Sequence, residues 1–215
     1  VSVRVSFDAG RAADPPSAPG TGALLLELMD EGTANLNSTE LARTRERLGA
    51  SLSGSATSDR TNFDLDALVP NLAPSLALLA DYIRRPALDP NELERVRAQQ
   101  LTAIAAELKD PNSLASRTFT GTLFGPHHPY GIAPTGSGTA QSVTAITRDD
   151  LARYHAAWFR GGSASIYVVG DTTLADPLNS FGIFATSFDV GKSILSGVCG
   201  WTACSAIEHG CSCLP

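Results

Sequence analysis

Strand-like and helix-like segments follow one another along this chain without regular alternation, and that order restricts the folds it can adopt. Residues 1–9 alternate apolar and polar side chains, as a half-buried strand does. Two further alternating stretches, Ser51–Thr57 and Asn62–Leu68, flank turn-forming residues and predict a β-hairpin. The apolar run Ala164–Val169 has the length of one more strand.

Between these strands the sequence predicts helices, because apolar residues recur at helical spacing and capping residues stand at the ends. We expect helices over residues 23–29, 38–48 (with Ser38 as N-cap), 72–86, 90–109, 113–124 and 148–159. In the helix over 90–109 the residues expected to face inward are Leu93, Val96, Leu101, Ile104 and Leu108. Because the order lacks regular βαβ units, we predict an α+β two-layer sandwich, a mostly antiparallel sheet with helices packed on one face.

The character of the chain changes near residue 175, which predicts two regions. Residues 1–175 form the patterned body, whereas residues 176–215 are rich in Ser, Gly, Cys and Phe and lack helical periodicity. We interpret residues 176–215 as a divergent or artefactual tail, with out-of-frame translation as one origin. Gly191-Lys192-Ser193 resembles a phosphate loop, but Thr186 stands where that motif needs glycine.

The four cysteines of the chain all fall in this tail. They are Cys199, Cys204, Cys211 and Cys213. Together with His209 they could form a zinc cluster, but their spacings match no common structural zinc pattern. We therefore prefer chance placement or irregular disulfides.

The charge of the chain disfavours two classes of partner. The formal net charge is −6, which disfavours nucleic acid and anionic membranes because both require clustered Lys and Arg. No apolar run approaches the ~20 residues of a membrane-spanning helix. The chain opens at Val1 inside a strand-like pattern, so we expect a piece of a longer protein. A body without cysteine is compatible with cytoplasm and periplasm, and our prediction favours the bacterial periplasm or cell envelope.

Several blocks of the sequence, taken in order, resemble the amino-terminal half of an insulinase-type (pitrilysin-like) zinc peptidase domain. The blocks are GTGALLLELMDEGT (20–33), ERLGA (46–50), DPNELERVRAQQL (89–101), HHPYG (127–131), SVTAITRDDLARYHAAWF (142–159) and SIYVVGD (165–171). The resemblance covers residues 1 to about 175. It implies the α+β sandwich of the mitochondrial-processing-peptidase-like metallohydrolases.

The zinc motif of that family is degenerate in this chain. Active members carry His-x-x-Glu-His on the first helix, where two imidazoles hold zinc and the glutamate takes a proton from the bound water. Laid on this sequence, the motif falls on residues 24–28, so that both histidine positions, Leu24 and Leu28, are leucines. Glu27 remains at the general-base position. We therefore predict no catalytic residue and no metal ligand in this chain.

The third zinc ligand of the family, a distant glutamate, is also missing. The matching stretch falls near residues 102–105, and the nearest acids are Glu94 and Glu107. Glu107 lies about one helical turn past the expected place, roughly 6 Å along the axis. We interpret Glu27 as a hydrated or arginine-paired side chain at the helix edge, against the alternative of a catalytic role.

The three histidines of the body have plain structural interpretations. His127 and His128 are sequence neighbours in a segment rich in Pro and Gly, and neighbours in an extended segment point to opposite sides. We interpret them as loop residues, against metal binding as the alternative. His155 is expected to pack or to lie at the surface.

The resemblance therefore implies a catalytically inactive half that pairs with a zinc-bearing half, in the same or a separate chain, and helps enclose unfolded peptide. Zinc is expected in that partner and not in this chain, and an exposed sheet edge could accept the peptide as an added strand. One alternative is a scaffold subunit of a larger assembly. The other is an active zinc metalloendopeptidase with unrecognised ligands.

Overall fold

The computed structural model describes residues 1–125 and 128–172, which form one antiparallel sheet covered by helices. The strands are β1 (Ser2–Phe7), β2 (Ser51–Ala56), β3 (Thr61–Asp66) and β4 (Ala164–Val169). The helices are α1 (Thr21–Met29), α2 (Ser38–Leu48), α3 (Leu72–Arg84), α4 (Pro90–Glu107), α5 (Pro111–Phe124), α6 (Ala140–Ala145) and α7 (Arg148–Trp158). The sheet order is β2-β3-β1-β4, so β2 and β4 are its edges. The predicted α+β sandwich is confirmed.

The alternation in the sequence decides which face of the sheet is buried. Val3, Val5 and Phe7 of β1 are at most 2% exposed. Their partners on the neighbouring strand β3 are Leu65, Phe63 and Thr61. The opposite face of the same strands is polar and carries an Arg4–Asp64 ion pair. The helices therefore pack on one face only.

Aromatic rings fill the centre of the layer between sheet and helices. Phe7 meets Phe63 edge to face with ring centroids 5.9 Å apart, and Phe159, at the end of α7, contacts both. Tyr82 of α3 adds a further edge-to-face contact to Phe63. Such pairs each contribute about 0.5–1.5 kcal/mol beyond the burial of their area, so this cluster holds α3 and α7 against the sheet.

Several details differ from the sequence predictions. The N-cap of α2 is Asn37 rather than Ser38, and it forms a capping box with Glu40. The short helix α6 was not predicted, because six residues give little periodicity. On α4, Leu108 is 50% exposed rather than inward, since it lies past the end of the helix. None of the described helices is long and apolar enough to cross a membrane.

The predictions for residues 173–215 lie outside the described residues. These are the boundary near residue 175, the tail with its cysteines, and the rejected phosphate loop. They stay predictions.

Candidate functional site

Helix α1 presents two different faces, and the degenerate motif lies across both. Leu24 and Leu28, the two positions aligned with zinc-binding histidines, are fully buried in the hydrophobic core. Glu27 lies on the other side and is exposed. A zinc ligand would have to face open space, whereas these two leucine side chains point into the core. The two positions therefore serve packing and are not the metal-binding face of the helix.

The open face of α1 borders a cavity of about 180 Å³ at the edge of the sheet. Its walls come from α1, from the edge strand β2 and the start of β3, from α7 and from two loops. The lining residues are Gly10, Arg11, Gly22, Ala23, Leu26, Glu27, Gly54, Ser55, Ala56, Thr61, Thr135 and Tyr154. A concave site with a few polar groups beside a free strand edge is the natural place for a ligand in this part of the molecule.

The spacing of the zinc motif is matched on this cavity face one residue earlier than the sequence alignment placed it. Ala23, Leu26 and Glu27 stand at positions i, i+3 and i+4, which share one side of a helix. On this register Ala23 and Glu27 take the histidine positions and Leu26 takes the general-base position. The conclusion about chemistry is the same, because no imidazole stands at either register.

These residues do not fit a zinc ion. A zinc site needs three or four nitrogen, sulfur or oxygen ligands, and the motif positions on the cavity face of α1 supply only the carboxylate of Glu27. No three His, Cys, Asp or Glu side chains within residues 1–125 and 128–172 are grouped as a metal site. Within the same residues, Glu27 has no hydrogen bond or ion pair, so the Arg pairing suggested for it is not formed there.

The edge strand β2 turns alternate backbone groups towards this cavity. Val1 and Ala67 exchange hydrogen bonds, so the odd residues of β3 bond to β1 and its even residues bond to β2. In the β2–β3 register the even residues of β3 oppose Ser51, Ser53 and Ser55. The N–H and C=O groups of Leu52, Gly54 and Ala56 therefore point away from the sheet.

Arg11 closes one end of that edge. Its Nη2 donates to the carbonyl oxygen of Ala56 at 2.7 Å, and its Nη1 donates to the carbonyl oxygen of Pro134. The backbone N–H of Arg11 also donates to the carbonyl of Thr57 at 3.0 Å. The arginine thus ties the end of β2 to the loop on the far side of the cavity.

Asp14 supports the same site from below, at the first turn of α1. The N-cap residue Gly20 has no side chain, so the Asp14 carboxylate accepts instead from the backbone N–H groups of Gly20 at 2.7 Å and Gly22 at 2.8 Å. Burial raises the pKa of Asp14 to about 6, although its backbone donors act in the opposite direction. Tyr154 lies beside it, and burial together with the Asp14 charge raises the pKa of that phenol.

Glu107 is part of a polar cluster rather than a ligand. Its carboxylate pairs with Arg117 of α5 and accepts from Ser137 Oγ at 2.9 Å and Thr135 Oγ1 at 3.3 Å. Both partners of the ion pair are less than a fifth exposed. Glu94 is 69% exposed and pairs with Arg97. The two acids nearest to the expected third ligand thus both have structural partners.

The histidines also have structural surroundings. The ring of His128 stacks on Phe124 with centroids 5.4 Å apart, and its Nδ1 accepts from the N–H of Tyr130 at 3.0 Å. His155 is largely buried, lies 2.7 Å from the carbonyl of Ile83 through Nε2, and has a lowered pKa because of that burial. His127 lies outside the described residues.

Sequence reasoning missed Arg11 and Asp14, although both shape the cavity. They lie in a segment rich in Gly and Pro that carries no periodic pattern, and their partners are backbone groups that sequence does not reveal. The only available signal was a charged pair placed shortly before a helix whose N-cap position lacks a capping side chain.

The sequence and the fold are similar to those of known proteins. Residues 1–126, more than half of the chain, match the family model described as Insulinase (Peptidase family M16). The chain is 24% identical over 176 residues to the non-peptidase homolog YmxG of Helicobacter pylori, which covers 82% of this chain and 40% of that protein. It is 27% identical over 158 residues to subunit 1 of the mitochondrial cytochrome b-c1 complex of Bos taurus, covering 71% and 31%.

Two further similarities complete this comparison. The chain is 27% identical over 154 residues to an uncharacterized zinc protease of Mycobacterium tuberculosis, covering 72% of this chain and 34% of that protein. A crystal structure of an inactive domain of peptidase M16 from Pseudomonas fluorescens superposes with a TM-score of 0.81 at 29% identity, covering 90% of this chain and 46% of that one. The chain thus spans about a third to two fifths of the length of the curated relatives it matches.

Proposed function

Since the chain belongs to the insulinase family, peptidase family M16, we propose that it is a catalytically inactive peptidase-like domain that pairs with a zinc-bearing half and helps enclose peptide. The observation that carries this proposal is the cavity face of α1. There the motif positions hold Ala23, Leu26 and Glu27, while no strand of residues 1–125 and 128–172 other than β3 pairs with the adjacent β2. A site that keeps its shape and lacks its ligands suits binding and not hydrolysis.

The relatives support an inactive role. The Pseudomonas fluorescens structure with 29% identity is described as an inactive domain, and the Helicobacter pylori relative is named a non-peptidase homolog. Other relatives are named zinc proteases, so the family includes members that carry the metal. In our proposal the zinc lies in the partner half. The bacterial periplasm or cell envelope stays the predicted compartment.

The free edge of β2 supports peptide binding. Leu52 and Gly54 turn their N–H and C=O groups outwards beside the cavity, and an extended peptide can add there as a further strand. Strand addition takes its affinity from main-chain hydrogen bonds and is therefore tolerant of sequence. This tolerance suits a domain that helps hold unfolded segments of varied composition.

Helix α5 supports the presence of a partner, because its polar side chains face inwards and its large apolar side chains face outwards. Its inward residues are polar: Arg117 binds Glu107 and the carbonyl of Gly138, and Thr120 Oγ1 donates to the carbonyl of Ile132. Its outward side carries large apolar residues at 62% and 59% exposure, Phe119 and Leu123. Exposed apolar surface of this kind marks an interaction site. We assign it to the zinc-bearing half, since the relatives are more than twice as long as the matched region.

A second candidate function is a scaffold subunit of a larger assembly. The 27% identity to subunit 1 of the cytochrome b-c1 complex favours it, because that relative is named as a component of such an assembly. Co-purification separates the two candidates. A zinc-bearing insulinase-type half as the main partner supports the first, and a multisubunit membrane complex supports the second.

The proposal can be tested with peptide binding and metal analysis of the purified chain. The fluorescence anisotropy of fluorescein-labelled extended peptides should increase on binding. After incubation with added zinc, mass spectrometry should detect these peptides uncut. Two versions of one peptide provide the matched control, one N-methylated at its odd positions and the other at its even positions. Only one version should lose binding, because a strand bonds to an edge through every second residue.

A clear result would contradict the proposal. About one zinc ion per chain, together with peptide cleavage that a chelator abolishes, would show an active metallopeptidase. Equal binding by both N-methylated peptides would instead remove the strand edge as the binding site.

A further inference from the structure

We propose that Arg11 is a specificity-determining residue that limits the length of the extended segment the β2 edge can bind. The inference rests on the proposed function, because it concerns the same strand edge. Arg11 occupies the carbonyl of Ala56, which is the last outward acceptor of β2. An added strand can therefore form the paired N–H and C=O bonds of a ladder only at Leu52 and Gly54, since the guanidinium takes the acceptor of Ala56 and lies in front of that residue's outward edge.

Two hydrogen bonds hold the guanidinium of Arg11, and two more hold the backbone beside it. The Nη1 group donates to the carbonyl of Pro134, and the Nη2 group donates to the carbonyl of Ala56 at 2.7 Å. The backbone N–H groups of Arg11 and Ala12 donate to the carbonyls of Thr57 at 3.0 Å and Ser58 at 2.9 Å. The segment around Arg11 thus lies across the end of the β2–β3 hairpin and is anchored at both its backbone and its side chain.

The loop facing β2 is shaped around this side chain. Gly136 has φ +72°, and a Cβ at that position would come within 2.7 Å of Arg11 Cδ. The positive φ favours glycine there, and the Arg11 side chain packs against its backbone. The aliphatic part of the arginine therefore fills the space against the loop, and a peptide cannot pass between Ala56 and Pro134 without displacing it.

The length of the site follows from strand geometry. Leu52 and Gly54 are two residues apart, about 7 Å along a strand, and each offers one donor and one acceptor. A segment of about three residues satisfies all four groups. Residues of a longer peptide that extend beyond Gly54 towards Ala56 meet a carbonyl already bonded and a fixed cation, so they add no main-chain hydrogen bonds.

The test compares two fluorescein-labelled peptides, of four and eight residues and of repeated Val-Ser composition, on the wild-type chain and on Arg11→Ala. The wild type should bind both with similar affinity. In Arg11→Ala the freed Ala56 carbonyl should favour the eight-residue peptide about two- to ten-fold, as one additional hydrogen bond does. Arg60→Ala is the matched control, because Arg60 bonds Ser6 and Asp8 on the polar face of the sheet, and it should behave like the wild type.

A second measurement needs no substitution. Amide hydrogen exchange of the wild-type chain with the eight-residue peptide should show new protection at Leu52 and Gly54 and none at Ala56. The inference is overturned if Ala56 becomes protected too, or if folded Arg11→Ala shows the wild-type ratio of the two affinities. Absence of binding by either peptide to either protein would overturn the proposed peptide function itself, and this inference with it.

Discussion

The carboxyl group of Asp14 offers the sharpest test of the site, because two physical effects on it oppose each other. Burial favours its neutral form, whereas the N–H groups of Gly20 and Gly22 at the start of α1 favour its charged form. Burial prevails, and the pKa of Asp14 is raised from 3.8 to about 6. At about 1.4 kcal/mol for each tenfold change in proton affinity, the difference amounts to about 3 kcal/mol.

The sign of the effect follows from where the protons bind. Between pH 3.8 and about 6 the folded chain holds the Asp14 proton more often than the unfolded chain does. The contribution of Asp14 to the free energy of unfolding is therefore greatest below pH 3.8 and falls as pH rises through about 6. About 2 kcal/mol of the fall should occur between about pH 4.5 and about pH 7.5.

The assay is urea unfolding of the wild type and of Asp14→Asn across this pH range. The difference in free energy of unfolding, wild type minus variant, should decrease by about 2 kcal/mol as pH rises. Asp150→Asn is the control of opposite sign, because hydrogen bonds from Thr147 lower the pKa of Asp150. A difference for Asp14→Asn that is constant or grows with pH would refute the reasoning, since the helix donors would then outweigh burial.

Three further predictions follow from other parts of the structure. Ala23→His with Glu27→His should place two imidazoles on the cavity face, which bind zinc weakly with waters as the remaining ligands, as metal titration can measure, whereas the same pair of changes at the two buried leucines one residue further along should lower the thermal midpoint and bind no zinc. Phe119→Ser with Leu123→Ser should reduce self-association in light scattering and leave the free energy of unfolding within about 0.5 kcal/mol, because both are more than half exposed. Arg117→Met should reduce that free energy by about 3 kcal/mol in urea unfolding, because it leaves a largely buried carboxylate unpaired.

The strands and most helices could be predicted because their patterns are local. The alternation in residues 1–9 and the turn after β2 fixed three strands to within two residues, and Pro90 marked the start of α4. On α4, however, the buried residues include Arg97 and Gln100, which a search for apolar periodicity passes over. Arg97 is buried because its guanidinium donates to carbonyls at the end of α6, including Ile146 at 2.8 Å, and α6 itself gave no pattern.

The motif could be recognised from the sequence, but its orientation could not. Glu27 drew the alignment to residues 24–28, because a glutamate in the sequence matched the glutamate of the motif. Only the packing of Leu24 and Leu28 in the core shows that the cavity face belongs to Ala23, Leu26 and Glu27. Helix α1 is apolar on nearly every side, so its sequence does not reveal which side faces the sheet.

The contact between Leu26 and β2 explains how this site can lose its chemistry and keep its shape. A Cβ at Gly54 would lie 3.2 Å from Leu26 Cδ2 and 3.3 Å from the Phe63 ring, so the helix and the edge strand approach closely through a glycine. On the cavity register Leu26 stands where an active member carries the general base. An apolar side chain there packs on the strand instead of polarising water, and it fixes the distance between α1 and the free edge. Leu26 therefore holds α1 against the edge strand at the position where an active member carries its base.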